Sequence, residues 1–123
     1  MTYPRILILL LLLNLTPLCM NKGHCELDSQ RLANAIFKAE GGYKASYLYG
    51  IRSISYKDEA EARRICLNTI NNQKKRHRAH KCGLSFLTCL RNRYAPLQVK
   101  NDPKGLNSNW LRNVKYFYNK EGK

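Results

Sequence analysis

The chain has 123 residues and carries 22 Lys and Arg against 8 Asp and Glu, a formal charge of +14. That length leaves room for one small domain with a modest core and excludes a multidomain architecture. So large an excess of positive charge implies an anionic partner or surface.

At the N-terminus, Arg5 precedes an apolar run from Ile6 to Leu15, with Pro17 behind it. The run is too short to span a bilayer comfortably and reads as a secretory signal peptide over residues 1–25. Small residues Gly23 and Cys25 favour cleavage before Glu26. Lipidation at Cys19, which the bulky Leu18 disfavours, and a retained anchor are the rival readings. The leader holds Arg5 and Lys22 and no acid, so its removal lowers the positive charge by two. For a protein exported to the periplasm or beyond, anionic cell-envelope polymers are better partners than nucleic acid. No repeat or long Pro/Gly-rich linker divides residues 26–123, which form one domain.

The first helix begins near Asp28, a side chain able to cap free amides, and repeats Leu32, Ala35, Ile36 and Ala39 at helical spacing. Gly41 and Gly42 stop it. Residues 43–56, rich in Tyr and Ser, fit either a small hairpin or an irregular loop. Asp58 with Glu61 resembles a capping box for a second helix, whose apolar face is Ala62, Ile65, Cys66, Thr69 and Ile70. That helix ends in a basic run, Lys74 to Lys81, which is either a solvated helix end or a patch holding anionic polymers. A third helix covers about Ser85 to Arg93 and must end before Pro96. A fourth starts near Ser108 with the stripe Trp110, Leu111, Val114, Phe117 and Tyr118. The fold class is therefore mainly α, a small helical domain with a short β or irregular segment after the first helix.

Cleavage after Cys25 leaves Cys66, Cys82 and Cys89, of which two pair and one remains over in an oxidising compartment. The spacing leaves the pairing open. His77 and His80 lack a matching cysteine pair, so no metal and no cofactor is expected.

Glu40 stands where an apolar helical run meets two glycines, a position from which a carboxylate can project into a cleft. Burial and a negative helix end both raise a carboxyl pKa, as a general acid requires. The bland alternative is an exposed carboxylate at a helix end. Tyr49 either lines that cleft or packs under the loop. Tyr94 either reaches Glu40 and orients it or is a core tyrosine capped by a backbone carbonyl. Trp110 lies on an apolar stripe, where packing is favoured over sugar stacking. Asp102 is the only acid left free in a loop, the others serving helix starts or lying near the ends.

The run Ala35-Ile36-x-x-x-Glu40-Gly41-Gly42-Tyr43 leading to Tyr49-Gly50-Ile51 resembles the catalytic segment of the lysozyme-like superfamily, and within it the small secreted bacterial lytic transglycosylases. Ala62–Ile70, Phe86–Pro96 and Asn109–Val114 extend the similarity over most of residues 29–118. The resemblance implies a lysozyme-like fold and cleavage of the β-1,4 bond between N-acetylmuramic acid and N-acetylglucosamine in peptidoglycan. It makes Glu40 first acid and then base, and Tyr49, Gly50, Ile51, Ser53 and Tyr94 substrate-binding residues. It further implies a monomer without cofactor, of a kind that opens the wall for a secretion or conjugation apparatus. The family's Gly-Leu-Met-Gln is here Gly50-Ile51-Arg52-Ser53, the Glu40–Gly50 spacing is short, and Ala95 replaces a cysteine of close relatives, which makes Cys82 or Cys89 the partner expected for Cys66. Lysozyme-type hydrolysis, which usually needs a second carboxylate, is the alternative. A catalytically silent wall-binding protein and a cationic membrane- or nucleic-acid-binding protein are the rival classes; no recognition motif supports the last.

Overall fold

The computed structural model describes residues 26–123. The signal peptide, its cleavage site and the rival readings of residues 1–25 lie outside the described residues.

Four α-helices make up the domain: α1 (Ser29–Ala39), α2 (Glu59–Arg78), α3 (Phe86–Tyr94) and α4 (Trp110–Glu121). Short polar side chains start the first three. Asp28 accepts from the Arg31 amide at 2.7 Å, Asp58 from the Glu61 amide at 2.8 Å, and Ser85 from the Thr88 amide at 3.4 Å. Each satisfies one of the amides a helix N-terminus leaves unpaired. Glu61 reaches back past the cap residue to the Lys57 amide at 2.9 Å, one position further than in a standard capping box.

The segment after α1 contains two 3₁₀ turns, Gly42–Lys44 and Leu48–Gly50, and no strand is present among the described residues. Tyr49 and Gly50 both have left-handed backbone, with φ of 55° and 69°. Two such residues in succession reverse the chain, as in a hairpin turn, but the residues before them are wound into 3₁₀ turns and no extended strands flank the reversal, so no hairpin forms. For Tyr49 that conformation costs about 1–3 kcal/mol. Burial of its ring against Phe37, 5.0 Å between centroids, and donation by Arg63 to its hydroxyl at 3.2 Å oppose that cost.

The core is the apolar stripes of the helices brought together. Leu32, Ala35 and Ile36 of α1, Ala62, Cys66 and Ile70 of α2, Leu90 of α3 and Val114 of α4 are fully buried. α1 packs chiefly on α4. There Arg31 donates to the Tyr118 carbonyl at 2.7 Å while its guanidinium lies 4.1 Å from the ring centroid of the same tyrosine. Lys38 and Glu121 pair at 2.6 Å along this seam. Arg63 ties α2 to α1 through Asn34 at 2.7 Å and Gln30 at 2.8 Å.

The disulfide joins Cys82 to Cys89, with Cα atoms 6.3 Å apart, and Cys66 is free in the core. The bridge is thus local, fastening the approach to α3 onto α3 itself. It does not staple α2 to its neighbour, as the expected pairing of Cys66 with Cys82 or Cys89 would have done. Cys66 is enclosed by packing, and burial pushes its thiol up to about 11.

Ile36 is fully enclosed between α1 and its neighbours. Ile36→Ala is expected to destabilise the domain by about 2–5 kcal/mol, the range for emptying a tightly packed aliphatic site. Urea unfolding followed by circular dichroism measures it, and a change under about 1 kcal/mol would show a core able to collapse around the gap.

Candidate active site

Glu40 is the residue at which α1 stops: its amide still donates to the Ile36 carbonyl at 2.9 Å, and Gly41 follows at φ 105°. The side chain is half-buried on the wall of a cleft of about 820 Å³. One side of this cleft is the segment Gly50 to Ile54. The other is the end of α3 from Arg93 to Pro96, with residues 101–109 and the start of α4.

Two contacts fix the carboxyl. The Trp110 indole Nε1 donates to Glu40 Oε1 at 2.8 Å. Gly50 closes a second side so tightly that a Cβ placed there would stand 2.6 Å from Glu40 Cδ. Gly50 is therefore required twice, for its φ of 69° and for this approach. Among the described residues Oε2 has no hydrogen-bond partner, so it is the oxygen free to carry and transfer a proton.

Burial is the largest influence on this carboxyl and raises its pKa above the ordinary 4.5; the Trp110 hydrogen bond and the Arg52 charge pull the other way and do not cancel it. Trp110 is in turn stacked on Tyr94, with centroids 5.7 Å apart and planes 19° from parallel. Tyr94 lines the cleft with its ring, while its hydroxyl is buried without a hydrogen-bond partner. The Cys66 thiol and Thr69 hydroxyl are the nearest polar groups, and burial pushes the phenol strongly up, so it stays protonated.

The predicted site residues are thus partly brought together. Gly50, Ile51, Ser53 and Tyr94 join Glu40 in the cleft. Tyr49 does not: its ring is buried under the loop, and Arg63 donates to its hydroxyl. Tyr94 neither bonds Glu40 nor meets a backbone carbonyl; it bears on the carboxyl through the ring of Trp110. Trp110 packs in the core, as its stripe suggested, yet also holds the acid. Nothing in the sequence connects those two positions. Asp102 is in the cleft wall but is not free. Its two oxygens accept from the Leu106 and Asn107 amides at 2.8 and 2.9 Å, holding the turn that leads into α4.

The remaining lining mixes polar uncharged, cationic and apolar side chains. Asn101, Asn107, Asn109 and Asn113 supply amides, Arg52 and Arg93 supply guanidiniums, and exposed Ile54 and Leu106 lie at the cleft. Amides presenting both donors and acceptors suit hydroxyl and acetamido groups. No group of three or more His, Cys, Asp and Glu that could hold a metal ion is present among the described residues. Comparison of the chain with family models, with curated proteins and with solved structures gave no match.

Two outcomes follow from this geometry. Gly50→Ala is expected to lower stability by more than about 1 kcal/mol, because an L-residue is strained at this φ and its methyl group displaces the carboxyl; urea unfolding measures it. The second concerns pH. A carboxyl whose folded pKa is raised binds its proton more tightly in the native state. Its stabilising contribution is complete below the unfolded value near 4.5 and is lost as pH rises through the folded value. Glu40→Gln abolishes that dependence, so the variant should gain in melting temperature relative to wild type as pH goes from 4 to 7. Parallel melting curves across this range would refute the raised value.

Proposed function

We propose that the domain cleaves the β-1,4 bond of peptidoglycan glycan strands as a lytic transglycosylase, with Glu40 alone supplying the proton chemistry. The observation that carries this is the half-buried Glu40 carboxyl, its pKa raised by burial, on the wall of a cleft lined in part by amides. Protonated Oε2 gives its proton to the glycosidic oxygen as the C1–O bond breaks, and the departing sugar leaves as an alcohol. The resulting carboxylate faces an oxocarbenium-like C1. It then takes the proton of the muramic acid C6 hydroxyl while that oxygen bonds to C1, closing a 1,6-anhydro ring. Glu40 ends protonated, as it began, and no water is consumed.

Lysozyme-type hydrolysis is the alternative, and usually calls for a second carboxylate placed across the bond or behind the sugar. Asp102 is the other acid in the cleft, and both its oxygens are committed to backbone amides. That commitment favours the single-acid route. Export through a signal peptide, a monomeric state and service to a secretion or conjugation apparatus are further parts of the proposal, drawn from residues 1–25 and from the family resemblance.

Digestion of purified peptidoglycan, followed by mass spectrometry of the released muropeptides, is the test. Anhydro-muropeptides are expected from wild type, and Glu40→Gln should lose about 10²–10⁴-fold in rate while still binding the glycan. The rate should fall as pH rises through the raised Glu40 value, since only the protonated form can start the reaction. Reducing-end products would assign hydrolysis. No release by either protein, with binding retained, would mean a silent wall-binding module.

A further inference from the structure

Beyond the main cleft lies a second hollow of about 290 Å³, lined by Thr69, Asn72, Gln73, Arg76 and Arg93. Thr69 and Arg93 belong to both walls, so the hollow adjoins the cleft at the α2–α3 junction. Its lining joins two cations to a buried amide. Arg76 and Arg93 are exposed, and among the described residues their guanidiniums have no hydrogen-bonded or ionic protein partner. In addition, Gln73 is the one buried polar side chain of the described residues, 3% exposed, and it opens on this hollow. A chain with so few acids leaves these donors facing water.

We propose that this hollow is a branch subsite: it takes a carboxylate-bearing substituent of the glycan, the peptide stem carried on a muramic acid, while the sugar backbone occupies the main cleft. This presupposes the glycan-binding cleft proposed above. The chemistry follows from the lining. Arg76 and Arg93 offer forked N–H donors to a carboxylate. Asn72 and Gln73 offer donor and acceptor pairs to peptide amides, and Thr69 stands where the branch leaves the backbone. The N-acetylglucosamine unit has no anionic group to satisfy two guanidiniums, and the lactyl carboxyl of muramic acid is an uncharged amide wherever a stem is attached.

The test compares binding of Glu40→Gln, which does not degrade the ligand, to three probes: stem-bearing glycan strands, the same strands with their stem carboxylates amidated, and neutral chitin oligosaccharide. Stem-bearing strands should bind about five- to tenfold tighter than amidated ones, the range for partly solvated charge-assisted contacts. Adding Arg76→Gln, which lies in the hollow and outside the main cleft, should remove most of that margin and leave affinity for amidated strands and chitin unchanged. Adding Lys75→Gln instead removes the same charge from a neighbouring position outside the hollow and should preserve the margin. Melting curves check that each variant is folded. A margin that survives loss of Arg76, or that Lys75→Gln abolishes equally, overturns the subsite while leaving the cleft reading intact. Absence of binding to any of the three glycans overturns both.

Discussion

The hydrogen bond from Trp110 to Glu40 organises the site. It spans 70 residues and joins the last turn of α1 to the first residue of α4. A buried carboxyl without a partner is costly, and this indole donor satisfies one oxygen while leaving the other unbonded. Tyr94 stacks on the same indole from α3, so three helices bear on one side chain. Gly50 closes the remaining side with backbone alone. Displacing any of the three moves the carboxyl.

Two opposing influences meet at that carboxyl, and their sizes decide its protonation. Arg52 is exposed, so its attraction acts through solvent; even at 4 Å such a pair is worth only about 1 kcal/mol, under one unit of pKa. The indole N–H is neutral and favours the anion weakly. Removal from water can shift a carboxyl by several units. Burial therefore prevails, and the proton is retained above the ordinary carboxylate range.

The helices were legible because what starts and stops them is local. Asp28, Asp58 and Ser85 cap within three residues of themselves, and Gly41 breaks α1 by its own conformational freedom. Glu40 was legible as a candidate for the same reason, since its exposure to a cleft depends on the break beside it. What was not legible depends on contacts between distant residues. Tyr49 has an ordinary sequence context, yet Phe37 and Arg63 hold its ring under the loop and out of the cleft. The disulfide was undecided because three cysteines admit three pairings, and only the packing of Cys66 inside the core selects among them. Trp110 has a helical stripe that explains it fully, so its second role left no trace in the spacing.

The scarcity of acids gives the assignment of Glu40 its force. Seven of the eight are engaged elsewhere. Asp28 and Asp58 cap helices, Glu61 holds the Lys57 amide, and Asp102 holds the turn before α4. Glu26 pairs with Arg78, Glu121 with Lys38, and Glu59 accepts from the Tyr43 hydroxyl. Each of those carboxyls has a structural partner. Glu40 has a single neutral donor instead, and burial raises its pKa above the ordinary value. A domain with this much positive charge gains nothing in solubility or folding by hiding one of its few anions from so many cations. Isolating Glu40 from them carries an energetic cost, and a carboxyl perturbed by burial on a cleft wall is a candidate for proton chemistry on that physical ground.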